Sequence, residues 1–511
     1  MCGSSLVPPE VDTDLVCGRC ARRNPEAATA CISCGSNLRN EDRTKWPVHG
    51  FLLNEIHDRE GQRVAKGPLE RASTASIPAL TMELQGLQEA WVLSMDIDPA
   101  IFFRVFPAFR ELRKLYVFHG MDGGSPFRRN EANRALEQTL RQVNSHVRCF
   151  HPPPKPYGKH HSKGFVLFYK DKLRVIVHTA NLVPFDLFNK TDAVYYEDFE
   201  LMREDGVPRG SNRVFGPSLL KYFRAQMDAI VEGMRGERRF ADRLPEVASL
   251  WKYDFSTAHA ALIASVPGTF SAAGATRWGQ LALAAHLETL PAEERDWPVV
   301  CQFTSFGSQN MTKKHGSQAC WALDEFARRA LIRNQNADVH FVFPSNLDCR
   351  RSIVGYAHGL FFADKQAPSF ARIRPRLCSW TAAEAYPSRN LAFPHMKSYF
   401  AYDPSDPRRL SWACITSANL SKAAWGNFTQ KGDLSIRSWE LGVLFTPALC
   451  GSGPRRLVAS PARSVGAEDF VLPIPIRLPP VPYTASMDDP SSELPPNELT
   501  HVICVPVPPS S

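Results

Sequence analysis

The chain has 511 residues, 44% of them apolar, so a large core and two to four domains are within reach. A formal charge of +8 permits an anionic partner without specifying one. No secretory signal is expected, no apolar run approaches the ~18 residues that cross a bilayer, and thirteen cysteines, mostly scattered singly, argue for a reducing compartment over a disulfide framework.

Residues 1–14 read as disordered. Cys17 and Cys20 form one Cys-x2-Cys pair, and Cys31 and Cys34 form another, with ten residues between the pairs. Each pair makes a turn that aims two sulfurs at one point, which suits a tetrahedral zinc site. Four thiolates leave no open coordination position, so the expected role is structural, in a module with little core apart from its metal. Four free thiols are the alternative. Residues 39–49 read as a polar linker. Leu115–Gly120 has the pattern of a buried strand, and Glu131–His146 has helical spacing with Leu136, Leu140 and Val143 on one stripe. Strand, helix and strand in succession predict an α/β unit with a mixed sheet.

One stretch then occurs twice. The first copy begins His161-Ser162-Lys163, runs through Gly164–Tyr169 and Leu173–Val177, and ends Thr179-Ala180-Asn181-Leu182. The second begins His395-Met396-Lys397, runs through Ser398–Tyr402 and Ser411–Thr416, and ends Ser417-Ala418-Asn419-Leu420. The apolar runs are short, β-branched and aromatic, and bounded by turn signals, so each copy is predicted to be a hairpin. Residues two apart on a strand share a face. Histidine and lysine therefore point together, and the return strand brings the asparagine to the same end. Two such clusters facing one another suit a phosphodiester. Lysines and asparagines would hold the non-bridging oxygens, one imidazole would attack phosphorus, and the other would protonate the leaving oxygen and then activate water. A single His-x-Lys on a strand is more often structural; the matched pair carries the argument.

Between and after the copies, Pro217–Arg235 reads as an amphipathic helix and Trp251 onward as the start of a second half. Pro298–Ser308 gives a strand and a small-residue loop, which is either a phosphate contact or a plain β–α connection. Trp321–Arg333 reads as a helix whose Arg328, Arg329 and Arg333 form a solvated face, and Val339–Phe343 reads as a strand. Trp425 is either a base-stacking platform or core.

The doubled motif resembles the phospholipase D superfamily. That superfamily usually has Asp five residues after the lysine, where this chain has Phe168 and Tyr402. The missing Asp, the Asn in each motif, and the wording Tyr157-Gly158-Lys159-His160-His161-Ser162-Lys163, Thr416–Gly426 and Ser438–Phe445 resemble the tyrosyl-DNA phosphodiesterase 1 branch, over roughly Gly50 to Tyr483. The resemblance implies two similar halves, 50–250 and 251–483, with mixed sheets flanked by helices and a pseudo-twofold central cleft. It implies metal-independent hydrolysis of blocked 3′ DNA ends, single- or double-stranded, with a topoisomerase I-derived peptide or another adduct as the blocking group, by a nuclear monomer. His161 would be the nucleophile and form a phosphohistidine. His395 would be the proton donor and then the base. Lys163, Lys397, Asn181 and Asn419 would cradle the phosphate, and Glu440 would orient a histidine. The family has Gln where this chain has Asp192, which would either accept from an imidazole and raise its proton affinity or be an ordinary solvated residue. By the same resemblance Tyr157, Ser305, Phe306, Gly307, Ser308 and Ser421 would contact DNA. The cysteine module, with Asn24 between the pairs, resembles the RanBP2-type zinc finger, whose members bind RNA or ubiquitin; Leu15 stands where that family has Trp. The segment 484–511 lacks the family's closing Trp residues and is expected to be disordered. Another metal-independent phosphodiesterase or nuclease, and a DNA-binding relative with a retired site, remain alternatives.

Overall fold

A computed structural model describes residues 15–16, 23–24, 49–58, 61–64, 70, 73–82, 86–121, 126–233, 244–271, 278–311, 319–331, 338–355, 361–362, 369–450, 456–459 and 469–484. The four cysteines proposed for zinc, the N-terminal segment and the segment 485–511 lie outside the described residues.

The first half is built on eight strands. These are β1 (His49–Asn54), β2 (Thr74–Ala75), β3 (Leu87–Ser94), β4 (Lys114–His119), β5 (Arg148–Phe150), β6 (Gly164–Tyr169), β7 (Lys172–His178) and β8 (Ala193–Glu200), in the spatial order β2-β1-β8-β7-β6-β3-β4-β5. The second half uses β9 (Ala261–Ser265), β10 (Val299–Gln302), β11 (Val339–Val342), β12 (Leu377–Cys378), β13 (Lys397–Tyr402), β14 (Arg409–Thr416) and β15 (Glu440–Phe445), in the order β9-β15-β14-β13-β10-β11-β12. The two orders superimpose as topologies. In each, the motif hairpin (β6–β7 or β13–β14) pairs antiparallel, its return strand pairs antiparallel with β8 or β15, and its first strand pairs with the leading strand of a parallel trio. The expected mixed-sheet α/β architecture is the one observed.

Every residue of β6 and β13 is buried, and alternate residues face different cores. Phe165, Leu167 and Tyr169 pack outward in the first half with α1 (Pro126–Arg141), while Tyr399 and Ala401 pack outward in the second with α3 (Gly279–Leu287) and the π-helix Trp321–Leu331. Val166, Phe168, Phe400 and Tyr402 face a third cluster that both sheets share with α2 (Phe215–Gly233). The positions where the superfamily has Asp are thus apolar packing in the seam. Burial on both faces explains why these strands read as continuous apolar runs rather than as alternating ones.

One expectation needs correction, and one open alternative is decided. The helix expected over Glu131–His146 runs instead from Pro126 to Arg141. Asn144 ends it: its Nδ2 donates to the carbonyls of Phe109 and Leu112 at 2.8 and 2.9 Å, turning the chain into β5. Val143, expected on the buried stripe, is consequently 51% exposed, whereas Leu136 and Leu140 are buried. Trp425 is core, buried against Phe326 and Tyr399, and is not a base platform.

Candidate active site

The two motifs meet at the seam because each is stitched to the other half. His161 N donates to Trp439 O and Trp439 N donates to Lys159 O, both at 2.9 Å. In mirror fashion, His395 N and Met396 N donate to Thr191 O at 2.8 and 2.9 Å. The residue after each of these partners is a carboxylate, Glu440 after Trp439 and Asp192 after Thr191. The result is a crossover. His161 Nδ1 lies 2.8 Å from Glu440 Oε2, and His395 Nδ1 lies 3.3 Å from Asp192 Oδ1. An Nδ1 proton held by a carboxylate leaves the Nε2 lone pair of each ring for chemistry.

The carboxylates are held in turn by the first residue of each Ser/Thr-Ala-Asn-Leu segment. Ser417 Oγ donates to Glu440 Oε2 at 2.5 Å and accepts from Leu441 N at 3.0 Å. Thr179 Oγ1 donates to Asp192 Oδ1 at 2.6 Å and accepts from Ala193 N at 3.0 Å. Thr179 and Ser417 were not among the expected site residues, although a hydroxyl at the same place in both copies was a readable signal. Asp192 is fully buried, so the solvated reading of it is wrong, and it accepts from the imidazole as the other reading holds.

Lys163 and Lys397 are both buried, and each ammonium donates to the carbonyl of its own histidine two residues back. Asn419 Oδ1 accepts from Thr304 N and Ser305 N at 3.1 and 2.9 Å, which turns its NH2 away from that loop. Asn181 Nδ2 donates to Asp186 Oδ2 at 2.7 Å. Both histidines, both lysines and both carboxylates share one electrostatic field, which Asn181 joins through Asp186, while Asn419 is held at the Thr304–Ser305 loop.

Burial dominates the electrostatics. It pushes the His161 imidazole down to about 4 against the pull of Glu440, with Lys163 adding to the depression. It lowers the Lys163 ammonium to about 8, which Glu440 opposes. It lowers Lys397, with Lys163 as the next cause. Asp192 is raised by burial and then by the charge of Asp186. His395 sits well below the usual imidazole range through burial and then through Lys397, Lys190 and Lys163. The expectation that Asp192 would raise its histidine's proton affinity is therefore outweighed by desolvation and three ammonium groups. Each histidine feels the other motif's lysine, and His395 also feels His161.

The expected DNA contacts divide. Ser305, Gly307, Ser308 and Ser421 are partly exposed, and Gly307 lies against Ser421, so a Cβ at 307 would come within 2.8 Å of the serine Cβ. Phe306 does not belong with them: it is buried and stacks on Phe303 in the outer core of the second half. Strand alternation turns its side chain inward while its neighbours face out. Tyr157 is 90% exposed, holds a left-handed φ of 65°, and has the Arg437 guanidinium 5.6 Å from its ring centre. It is no core aromatic.

The family model described as tyrosyl-DNA phosphodiesterase matches residues 67–484. The chain belongs to the tyrosyl-DNA phosphodiesterase family. Tyrosyl-DNA phosphodiesterase 1 of Arabidopsis thaliana is 32% identical over 312 residues, covering 58% of this chain and 49% of that protein. The Caenorhabditis elegans probable tyrosyl-DNA phosphodiesterase is 32% identical over 311 residues, covering 57% and 63%. The chain thus spans about half to two thirds of the length of these relatives. Among solved structures, yeast tyrosyl-DNA phosphodiesterase superposes with a TM-score of 0.61 over 86% of this chain and 98% of that one, at 15% identity, a likeness of fold. No helix among the described residues is long and apolar enough to cross a membrane, and among them no group of His, Cys, Asp and Glu could hold a metal ion.

Proposed function

We propose that the protein hydrolyses the phosphodiester joining a 3′ DNA end to tyrosine or another blocking group, including topoisomerase I-derived peptides, and leaves a 3′-phosphate. The observation that carries this is the crossed pair His161–Glu440 and His395–Asp192, set between two buried lysines and two asparagines. Nε2 of His161 attacks phosphorus while the bond to the tyrosyl oxygen breaks, and His395 gives its proton to that oxygen. A water then attacks the phosphohistidine, His395 takes a water proton, and the P–N bond breaks. The phosphate's negative charge offsets the ammonium groups that otherwise keep His395 neutral, so bound substrate favours the protonated acid. Lys163, Lys397, Asn181 and Asn419 hold the non-bridging oxygens and stabilise the charge that builds there. Tyr157, the partly exposed loop residues and Ser421 are assigned to the DNA strand.

The test is a 3′-phosphotyrosyl single-stranded oligonucleotide, with gel detection of a 3′-phosphate product. His161→Ala is expected to lower turnover by about 10³-fold or more with no DNA-linked enzyme. His395→Ala, given a good leaving group, is expected to accumulate that adduct. EDTA is expected to leave turnover unchanged; loss with EDTA and return with magnesium would contradict the mechanism. For Cys17, Cys20, Cys31 and Cys34 the proposal is a structural zinc, supported by spacing and by an all-thiolate donor set, with RNA or ubiquitin as the class of ligand. Nuclear residence and a monomeric state are likewise proposals, which imaging of the tagged chain and sedimentation would test.

A further inference from the structure

The two half-sites differ in the way the site asparagine is held. Five residues after the site asparagine the second copy has Ala424, while the first has Asp186. Asp186 is buried on the short helix Pro184–Phe188. Its Oδ2 accepts from Asn181 Nδ2 at 2.7 Å and from Asn181 N at 3.2 Å, and its Oδ1 takes the Lys190 ammonium at 2.8 Å. The same Oδ2 stands 3.6 Å from Nδ1 of His395, within ion-pair range but beyond a hydrogen bond. The second half holds its asparagine without a carboxylate and by the other end of the amide: Asn419 Oδ1 accepts from the backbone N–H groups of Thr304 and Ser305. Among the described residues the carboxylate facing Nδ1 of His161 is that of Glu440, whereas Nδ1 of His395 faces both Asp192 and Asp186.

A residue serving only as the counter-ion of Lys190 would need one oxygen on the lysine. Asp186 instead turns its other oxygen to the phosphate-binding amide and to the imidazole of the opposite half. We propose that Asp186 is a positioning residue of the reaction, an inference that rests on the phosphodiesterase reading above: it aims the Asn181 amide and sets a second carboxylate behind Nδ1 of His395, which suits that ring to taking up and returning the proton. When His395 takes a proton on Nε2 it becomes an imidazolium, and two anions behind it stabilise that state more than one does. The groups that share this field are Asp192, Asp96, Lys163, Lys190, Lys397 and His161. Asp186 raises the proton affinity of Asp96, Lys163, Asp192 and Lys397 alike.

The test compares the full chain with Asp186→Asn on 3′-phosphotyrosyl single-stranded DNA across pH, after matching their melting midpoints. Asn keeps an acceptor for Asn181 and removes the charge. The expected result is a kcat lower by about tenfold or more with KM within about threefold, and both limbs of the kcat profile moved to lower pH, because loss of an anion weakens proton binding at every neighbour. A kcat within about twofold of the parent with an unmoved profile overturns the inference. A parent chain that is inert on this substrate overturns the phosphodiesterase reading instead. Should Asp186→Asn fail to fold, Lys190→Met removes a cation from the same field. Its profile is then expected to move to higher pH with a reduced kcat, and an unmoved profile with parental kcat overturns the inference.

Discussion

At the scale of single residues, the hydroxyls behind the carboxylates make the sharpest prediction. Thr179 and Ser417 each donate to the carboxylate that orients a histidine of the opposite half. Thr179→Val and Ser417→Ala keep shape and remove that donor, leaving a buried carboxylate oxygen short of one bond. A lost hydrogen bond to a buried charged group is worth roughly 1.5–3 kcal/mol, so kcat is expected to fall by about tenfold or more, with KM nearly unchanged; steady-state assays of both variants check this. The histidines, lysines and asparagines were legible because chemistry repeated them at matched spacing. Thr179 and Ser417 were just as repeated, but a hydroxyl beside a strand end has many ordinary uses and the eye passes over it. Asp186 was not legible at all: only one copy has it, and its partner His395 is more than two hundred residues away.

At the scale of elements, the motif hairpins depend on a close approach of backbones. A Cβ on Gly164, the first residue of β6, would fall inside contact distance of the Ile176 carbonyl oxygen on β7. That obstacle is backbone, which cannot rotate aside. Gly164→Ala should therefore spread the hairpin at the point where Lys163 enters it, lowering stability by about 1–3 kcal/mol, measurable by denaturant unfolding, and weakening activity further through the displaced lysine. The strand bounds of both hairpins were readable to within two residues, since runs buried on both faces leave little choice of where they stop. The helix before them was not, because its end is set by Asn144 reaching back to two carbonyls near Phe109 and Leu112, an arrangement that helical periodicity does not contain.

At the scale of the whole molecule, buried groups span the seam and tie stability to pH. Arg389 of the second half is fully buried, donates to Asn54 Oδ1 and to Asn54 O at 3.0 and 2.6 Å, and faces Glu70. Asn54 Oδ1 also accepts from Asp192 N at 2.8 Å, so the same side chain steadies the partner of His395. Arg389→Met removes the buried cation that faces Glu70, which keeps the bond from Ser388 Oγ, and should cost about 3–5 kcal/mol, read as a lower melting midpoint. His119 and His178 are buried and neutral, pushed down to about 3 chiefly by desolvation. Their folded values lie below the unfolded one near 6.5, so they contribute stability that is complete above about pH 6.5 and lost as pH falls toward 3. Denaturation midpoints should thus decline from neutral to acid pH, each histidine adding up to about 1.4 kcal/mol per pH unit; a flat profile from pH 7 to 4 would contradict this. Sequence implied two halves around one phosphate; resemblance gave Glu440 an orienting role and left Asp192 between that role and a solvated one. That each serves the histidine of the other half is a property of the assembled seam.

That exchange has a bearing on ancestry. A symmetric pair of identical half-length chains, each offering an acidic side chain to its neighbour's imidazole, would have the same geometry by rotation alone. Joining such a pair end to end would conserve the reaction while releasing the copies from identity. Asp186 opposite Ala424 fits such a release: the acid of the first half faces the proton-moving His395 of the second, while the matching position in the second half, Ala424, carries none.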